Sequence, residues 1–209
     1  MFKQSLAYHN FADQRNLCCV PNSFDVLSNF PFILFGGWGL STAAFASAPT
    51  EWLLFFIGCI LTGIGSSYYH WNPNNDTLFW DRLPMTISFM SFFSILVTEQ
   101  TDWLVASYPT LLLTCMVGFG CWSVLYWRWH DNLLPYVLVQ FGPMVMAPYL
   151  LTLRDNPRMA VYVWALGWYM VAKICETFDR PIFQLTGYRV SGHTLKHLTA
   201  SLGMYVLIQ

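Results

Sequence analysis

Charge is scarce in this sequence. Of 209 residues only 10 are Lys or Arg and 11 are Asp or Glu, a tenth of the chain where a soluble globular domain carries about a quarter. So little polar surface cannot cover a folded chain in water, which excludes an ordinary soluble domain. The few charges are also bunched. None falls between Asp25 and Glu51, Glu51 and Asp76, Asp102 and Arg128, or Asp131 and Arg154. Each gap has room for the roughly 20 apolar residues of a membrane helix. With a net charge of −1, the chain lacks the basic excess that nucleic acid or an anionic membrane surface would require.

Cysteine pairs at CxxC spacing are also missing. Cys18 and Cys19 are adjacent, and Cys59, Cys115, Cys121 and Cys175 lie in apolar stretches, where cysteine behaves as a small buried hydrophobe. Residues 1–23 contain no apolar core ending in a small-residue cleavage site. A removable signal peptide is therefore not expected, and the first spanning helix should direct insertion itself. No internal repeat and no long polar segment interrupts the chain, so residues 1–209 read as one domain.

What the sequence has in abundance is hydrophobic residues, at 56%. Charge gaps and turn signals predict an all-α, integral membrane bundle of seven transmembrane helices near 27–48, 51–71, 82–99, 104–127, 132–153, 158–177 and 191–209. Asn-Pro-Asn-Asn-Asp at 72–76 is a turn cluster that ends the second span. An odd number of spans puts the N-terminal segment and the loops after spans two, four and six on one face. Lys3, Arg15, Arg82, Arg128, Arg180, Arg189 and Lys196 fall on that side, against Arg154 and Arg158 opposite. The positive-inside rule then places the N-terminus in the cytoplasm.

That shared face brings together the residues that carry chemistry. His193 and His197 stand four apart, a spacing that sets two rings on one helical face within reach of a shared metal. Ser66 and His70 repeat the spacing at the end of the second span, and Asp81 opens the third with Pro84 in its first turn. Taken singly, each has a structural reading: polar helix-end residues for the His pair, a hydroxyl bonded back along its helix for Ser66, an N-cap for Asp81. Together they put ionisable groups from three elements at one depth in a bilayer, where such groups are costly and tend to serve function.

Zinc suits this set, because three neutral imidazoles leave a fourth position for water. Binding can lower the pKa of that water from about 15.7 to about 7. Asp81 is then a candidate for moving the proton to a leaving amine, and Ser66 for donating to the developing oxyanion. His9 and His130 share the face but have no partner at helical spacing. Lys173 and Glu176, three apart, form a candidate ion pair, followed by Asp179 and Arg180. Haem ligated by histidines would leave Ser66 and Asp81 without a role.

In these residues the chain resembles the alkaline ceramidases, within a superfamily that includes adiponectin-receptor-like proteins and a lipid-remodelling phospholipase family. The resemblance rests on Gly65-Ser66-Ser67-Tyr68-Tyr69-His70, on Asp81-Arg82-Leu83-Pro84-Met85 and on His193-Thr194-Leu195-Lys196-His197, and its order extends from Ser28-Asn29 to the last helix. It implies a seven-helix bundle with zinc held by His70, His193 and His197, and with Ser66 and Asp81 contacting the zinc-bound water. It also implies hydrolysis of ceramide to a long-chain base and a fatty acid. The compact loops and the Asp-Arg-Leu-Pro-Met stretch look like bacterial members, hence a multi-pass protein of a bacterial inner membrane with a membrane lipid as substrate. Animal members carry an acid-rich calcium site before the first helix. Here Asp13 and Asp25 are accompanied by Arg15, short of the about six to eight oxygens that calcium takes, so calcium is not assigned. A phospholipase-like esterase with the same metal, or a zinc-containing receptor without turnover, are the alternative readings.

Overall fold

The structure, a computed structural model, describes residues 2–101 and 108–209. The opening of the fourth expected span, 104–107, lies outside the described residues. A 3-10 turn at Leu6–His9 precedes helices α1 (Ser23–Leu27), α2 (Phe30–Phe45), α3 (Thr50–Trp71), α4 (Asn75–Gln100), α5 (Pro109–His130), α6 (Leu134–Leu150), α7 (Met159–Thr177), α8 (Asp179–Leu185) and α9 (Gly192–Val206). Among the described residues the only β-type pairing is an isolated bridge between Leu17 and Val20. The chain is all-α.

Three boundaries differ from expectation, each for a local reason. The first span is divided at Ser28-Asn29, because Pro31 has no N–H to continue a helix from α1 but suits the first turn of α2. The third helix starts seven residues early. Asn74 Oδ1 accepts from the N–H groups of Asp76 and Thr77 at 2.8 and 3.0 Å, and Thr77 Oγ1 returns a bond to the Asn74 N–H, a full capping box. Asp81 is therefore not the N-cap and does not open the helix. It lies a further turn inside, and Pro84 is an interior proline. The last helix ends at Val206 instead of running to the terminus, and α8 was not foreseen.

α3 packs between α2 and α4; α4 also meets α5 and α6; α7 lies on α9, and α9 closes onto α2. These contacts leave a cavity lined from α2, α3, α4, α6, α7 and α9, with α5 outside it. At its lower end the walls are Phe55, Leu96, Ala147, Met204 and Leu207, all buried.

Two helices, Thr50–Trp71 and Pro109–His130, are long and apolar enough to cross a membrane, and Leu134–Leu150 is apolar but shorter. The 16 residues of α2 and 15 of α9 span only about 24 and 22 Å at 1.5 Å per residue. The 26 residues of α4 are long enough but include Asp76, Asp81, Arg82 and Glu99.

Candidate metal centre

Three rings meet where the ends of α3 and α9 converge. His70, in the last turn of α3, faces His193 and His197 from the first two turns of α9, with ring centroids 4.8, 4.9 and 4.9 Å apart. All three side chains are buried, and one nitrogen of each lies within 4.8 Å of the others. His70 Nε2 and His193 Nε2 approach to 3.3 Å. Two nitrogens bound to one ion at about 2.0–2.1 Å with tetrahedral geometry lie about 3.3 Å apart. The donor set therefore fits a metal ion, and these three residues can hold one.

The α9 pair is held from both sides. Ser191 caps the helix by accepting from the Thr194 N–H at 2.9 Å. A Cβ on Gly192 would come within 2.3 Å of the Cys175 carbonyl, so glycine lets the start of α9 press against the end of α7. That contact carries the His193 N–H to Asp179 Oδ1 at 2.8 Å, while the other oxygen of Asp179 accepts from the Ala12 N–H at 2.9 Å. His197 Nδ1 lies 2.8 Å from Ser28 Oγ, the kind of outer partner that fixes a ligand's tautomer and ring orientation. Asp179 belongs to a charge cluster at the end of α7 for which the sequence leaves open either a charge-compensated helix end or support of the site, and nothing in local spacing marks Ser28.

Ser66 and Asp81 reach the same cavity as His197 from α3 and α4. Pro84 has no N–H to offer the Trp80 carbonyl one turn earlier. That carbonyl sits against Gly65, where a Cβ would meet it at 2.1 Å. The glycine and the proline together bring the two helices into contact one residue before Ser66 and one before Asp81. Both side chains are buried and line the cavity together. The structure thus brings together all five expected site residues.

The other histidines are engaged elsewhere. His9 uses Nδ1 on Tyr69 Oη at 2.8 Å and Nε2 on Asn75 Oδ1 at 3.0 Å; His130 is exposed and lies over Tyr126. The bonds of His9 lay the N-terminal segment over the site. Phe11, buried, covers it with centroid distances of 4.6 Å to His70 and 4.7 Å to His193. Of the two carboxylates in the region weighed for calcium, Asp13 accepts from Arg15 through both oxygens. Asp25 Oδ1 accepts from Thr194 at 2.8 Å and Ser191 at 3.3 Å. Burial pushes the Asp25 carboxyl up to about 7, opposed by the hydrogen bond from Thr194 and aided by the negative charges of Asp179 and Asp13. With Asp13 filled by a guanidinium, this region does not fit calcium.

Lys173 and Glu176 do form the expected ion pair, and Lys196 joins it, its Nζ lying 2.7 Å from Glu176 Oε1.

The sequence profile of the Ceramidase family matches residues 18–209. No curated protein sequence matches the chain. The chain belongs to the Ceramidase family, and membership implies an amide hydrolase that acts on a lipid such as ceramide.

Proposed function

We propose that this protein is a membrane-embedded, zinc-dependent amidohydrolase that cleaves the N-acyl bond of ceramide, releasing a long-chain base and a fatty acid. His70, His193 and His197 would hold the zinc, with Asp81 and Ser66 as catalytic residues. The observation that carries the reading is the convergence of three buried imidazoles, of which His197 lines a cavity whose far walls are apolar.

Zinc bound there supplies Lewis acidity and a nucleophile at neutral pH. The protein's own part follows from what lines the cavity. Asp81 accepts a proton from the attacking water and delivers it to the amide nitrogen as the C–N bond breaks, leaving a neutral amine. Ser66 Oγ donates to the carbonyl oxygen as it gains negative charge. The acyl chain lies along Phe89, Phe92, Met144 and Met204, which line the cavity between α4, α6 and α9. Phe11 and the N-terminal segment keep bulk water off the rings.

In this reading α2 to α7 and α9 are the seven spans, with the N-terminus and the zinc on the cytoplasmic side of a bacterial inner membrane. Support comes from the outer surface. On α7, Tyr162, Ala165 and Ala172 are buried, while Val163, Trp164, Met170 and Ile174 on the opposite side are exposed. A soluble protein rarely leaves so continuous an apolar face bare. The shorter helices are accommodated by local thinning of the bilayer and by snorkelling ends.

The test is purification in detergent, metal analysis, and turnover of fluorescent ceramide beside a matched phospholipid. The expected result is about one zinc per chain and release of fatty acid from ceramide alone. Metal without turnover of either lipid would favour the receptor reading, and release from the phospholipid alone would favour the esterase.

A further inference from the structure

The cavity that His197 lines contains two formal positive charges among its described lining residues, Lys173 on α7 and Lys196 on α9. Both side chains are largely buried, at 20% and 17% exposure. Glu176 stands between them and bonds both ammonium groups, but it faces away. It lines a second cavity, under the N-terminal segment, beside Tyr8, Asp179 and His193. The cations thus face the lipid cavity and their shared anion lies behind. Each ammonium carries three N–H donors, and Glu176 takes one from each, so both lysines keep donors for the cavity side. Asp81 lines the opposite wall, and among the described residues it forms no ion pair with either lysine.

Ammonium donors facing a poorly solvated pocket are costly to leave unused, and a ligand with an anionic head group that accepts from both lysines would satisfy them. Ceramide is neutral throughout. Of the species in its hydrolysis, the fatty acid is the one that carries a negative charge at neutral pH, and the charge sits at the end of the chain formed by the reaction. Lys196 lies on the α9 turn between His193 and His197, the depth at which that carboxylate is released.

We propose that Lys196, supported by Lys173, binds the carboxylate of the fatty acid product within the lipid cavity. The acid is thereby held after the long-chain base has departed, and free fatty acid competes with substrate for the site. The identity of the anion rests on the hydrolase reading above, but the binding does not depend on turnover, so the two fail separately.

The experiment uses the full chain in detergent, treated with chelator so that a metal cannot hold the carboxylate. Affinities for palmitate and palmitamide are compared by displacement of a fluorescent ceramide. These ligands share one chain and differ in head-group charge. Palmitate should bind at least tenfold more tightly than palmitamide. Lys196→Gln should abolish the difference while leaving palmitamide binding and metal content as they were, and Lys196→Arg should keep it. Glu176→Gln, which removes the shared anion, should tighten palmitate binding further. Equal affinity for the two ligands, a preference that survives in Lys196→Gln, or weaker palmitate binding in Glu176→Gln would each overturn the proposal. Lys196-dependent palmitate binding without any ceramide turnover would uphold this site and sink the hydrolase reading instead.

Discussion

Ser28 Oγ lies 2.8 Å from Nδ1 of His197, across 169 positions of sequence. With Nδ1 engaged, the ring presents Nε2 to the other two imidazoles, so a residue just before α2 settles how a side chain on α9 meets a metal.

Ser28→Ala should therefore weaken metal binding without removing a ligand. Loss of an outer partner of a metal-binding histidine typically costs about 10- to 100-fold in affinity. Competition with a calibrated zinc chelator measures it. An unchanged affinity would mean that the ring is oriented by packing alone.

His70→Ala or His197→Ala should abolish stoichiometric metal, read by elemental analysis of the purified protein, because two imidazoles hold zinc far less well than three. Asp81→Asn should behave differently. It keeps the metal and loses about 10²- to 10⁴-fold in ceramide turnover, the usual scale for removing a positioned proton carrier. Retention of full rate would remove Asp81 from the chemistry.

Gly65→Ala should disturb the placement of Ser66 and Asp81, since its Cβ would come within 2.1 Å of the Trp80 carbonyl. Overpacking of this kind costs about 1–3 kcal/mol and here also displaces a candidate catalytic pair. Thermal unfolding in detergent and ceramide turnover should both fall. Gly118→Ala is the control: nothing lies within 4 Å of its added methyl, so stability should stay within about 0.5 kcal/mol.

Phe11→Ala should open the site from the side of the N-terminal segment. The ring is 4% exposed and in contact with His70 and His193. Its loss should raise the rate at which a water-soluble chelator strips the metal by several-fold, with ligand residues untouched. Truncating a buried Phe costs about 3–5 kcal/mol in a core, so the stripping rate is to be compared with that of a like truncation away from the histidines, such as Phe56→Ala, at a residue equally buried. An equal rate in the two would leave Phe11 a packing residue only.

The sequence by itself determined the helical class, the turn at 72–76 and the pairs Ser66/His70 and His193/His197, because these follow from composition and from a period of 3.6 residues. It also pointed to one face for the site, through the parity of the helix count. The start of α4 differs because charge gaps bound the third span by its uncharged run, which begins after Asp76, Asp81 and Arg82. Asn74 and Thr77 in fact cap the helix ahead of those charges, and this puts Asp81 in the interior of α4. Tertiary structure alone decided what surrounds the ligands. Ser28, Phe11, Asp179 and Glu176 act on residues far along the chain, and no local pattern encodes which distant groups a closing bundle will press together. The same packing turned Gly65 and Pro84, each unremarkable in sequence, into the contact that joins α3 to α4, because only close approach of two backbones gives a missing methyl and a missing N–H a shared consequence.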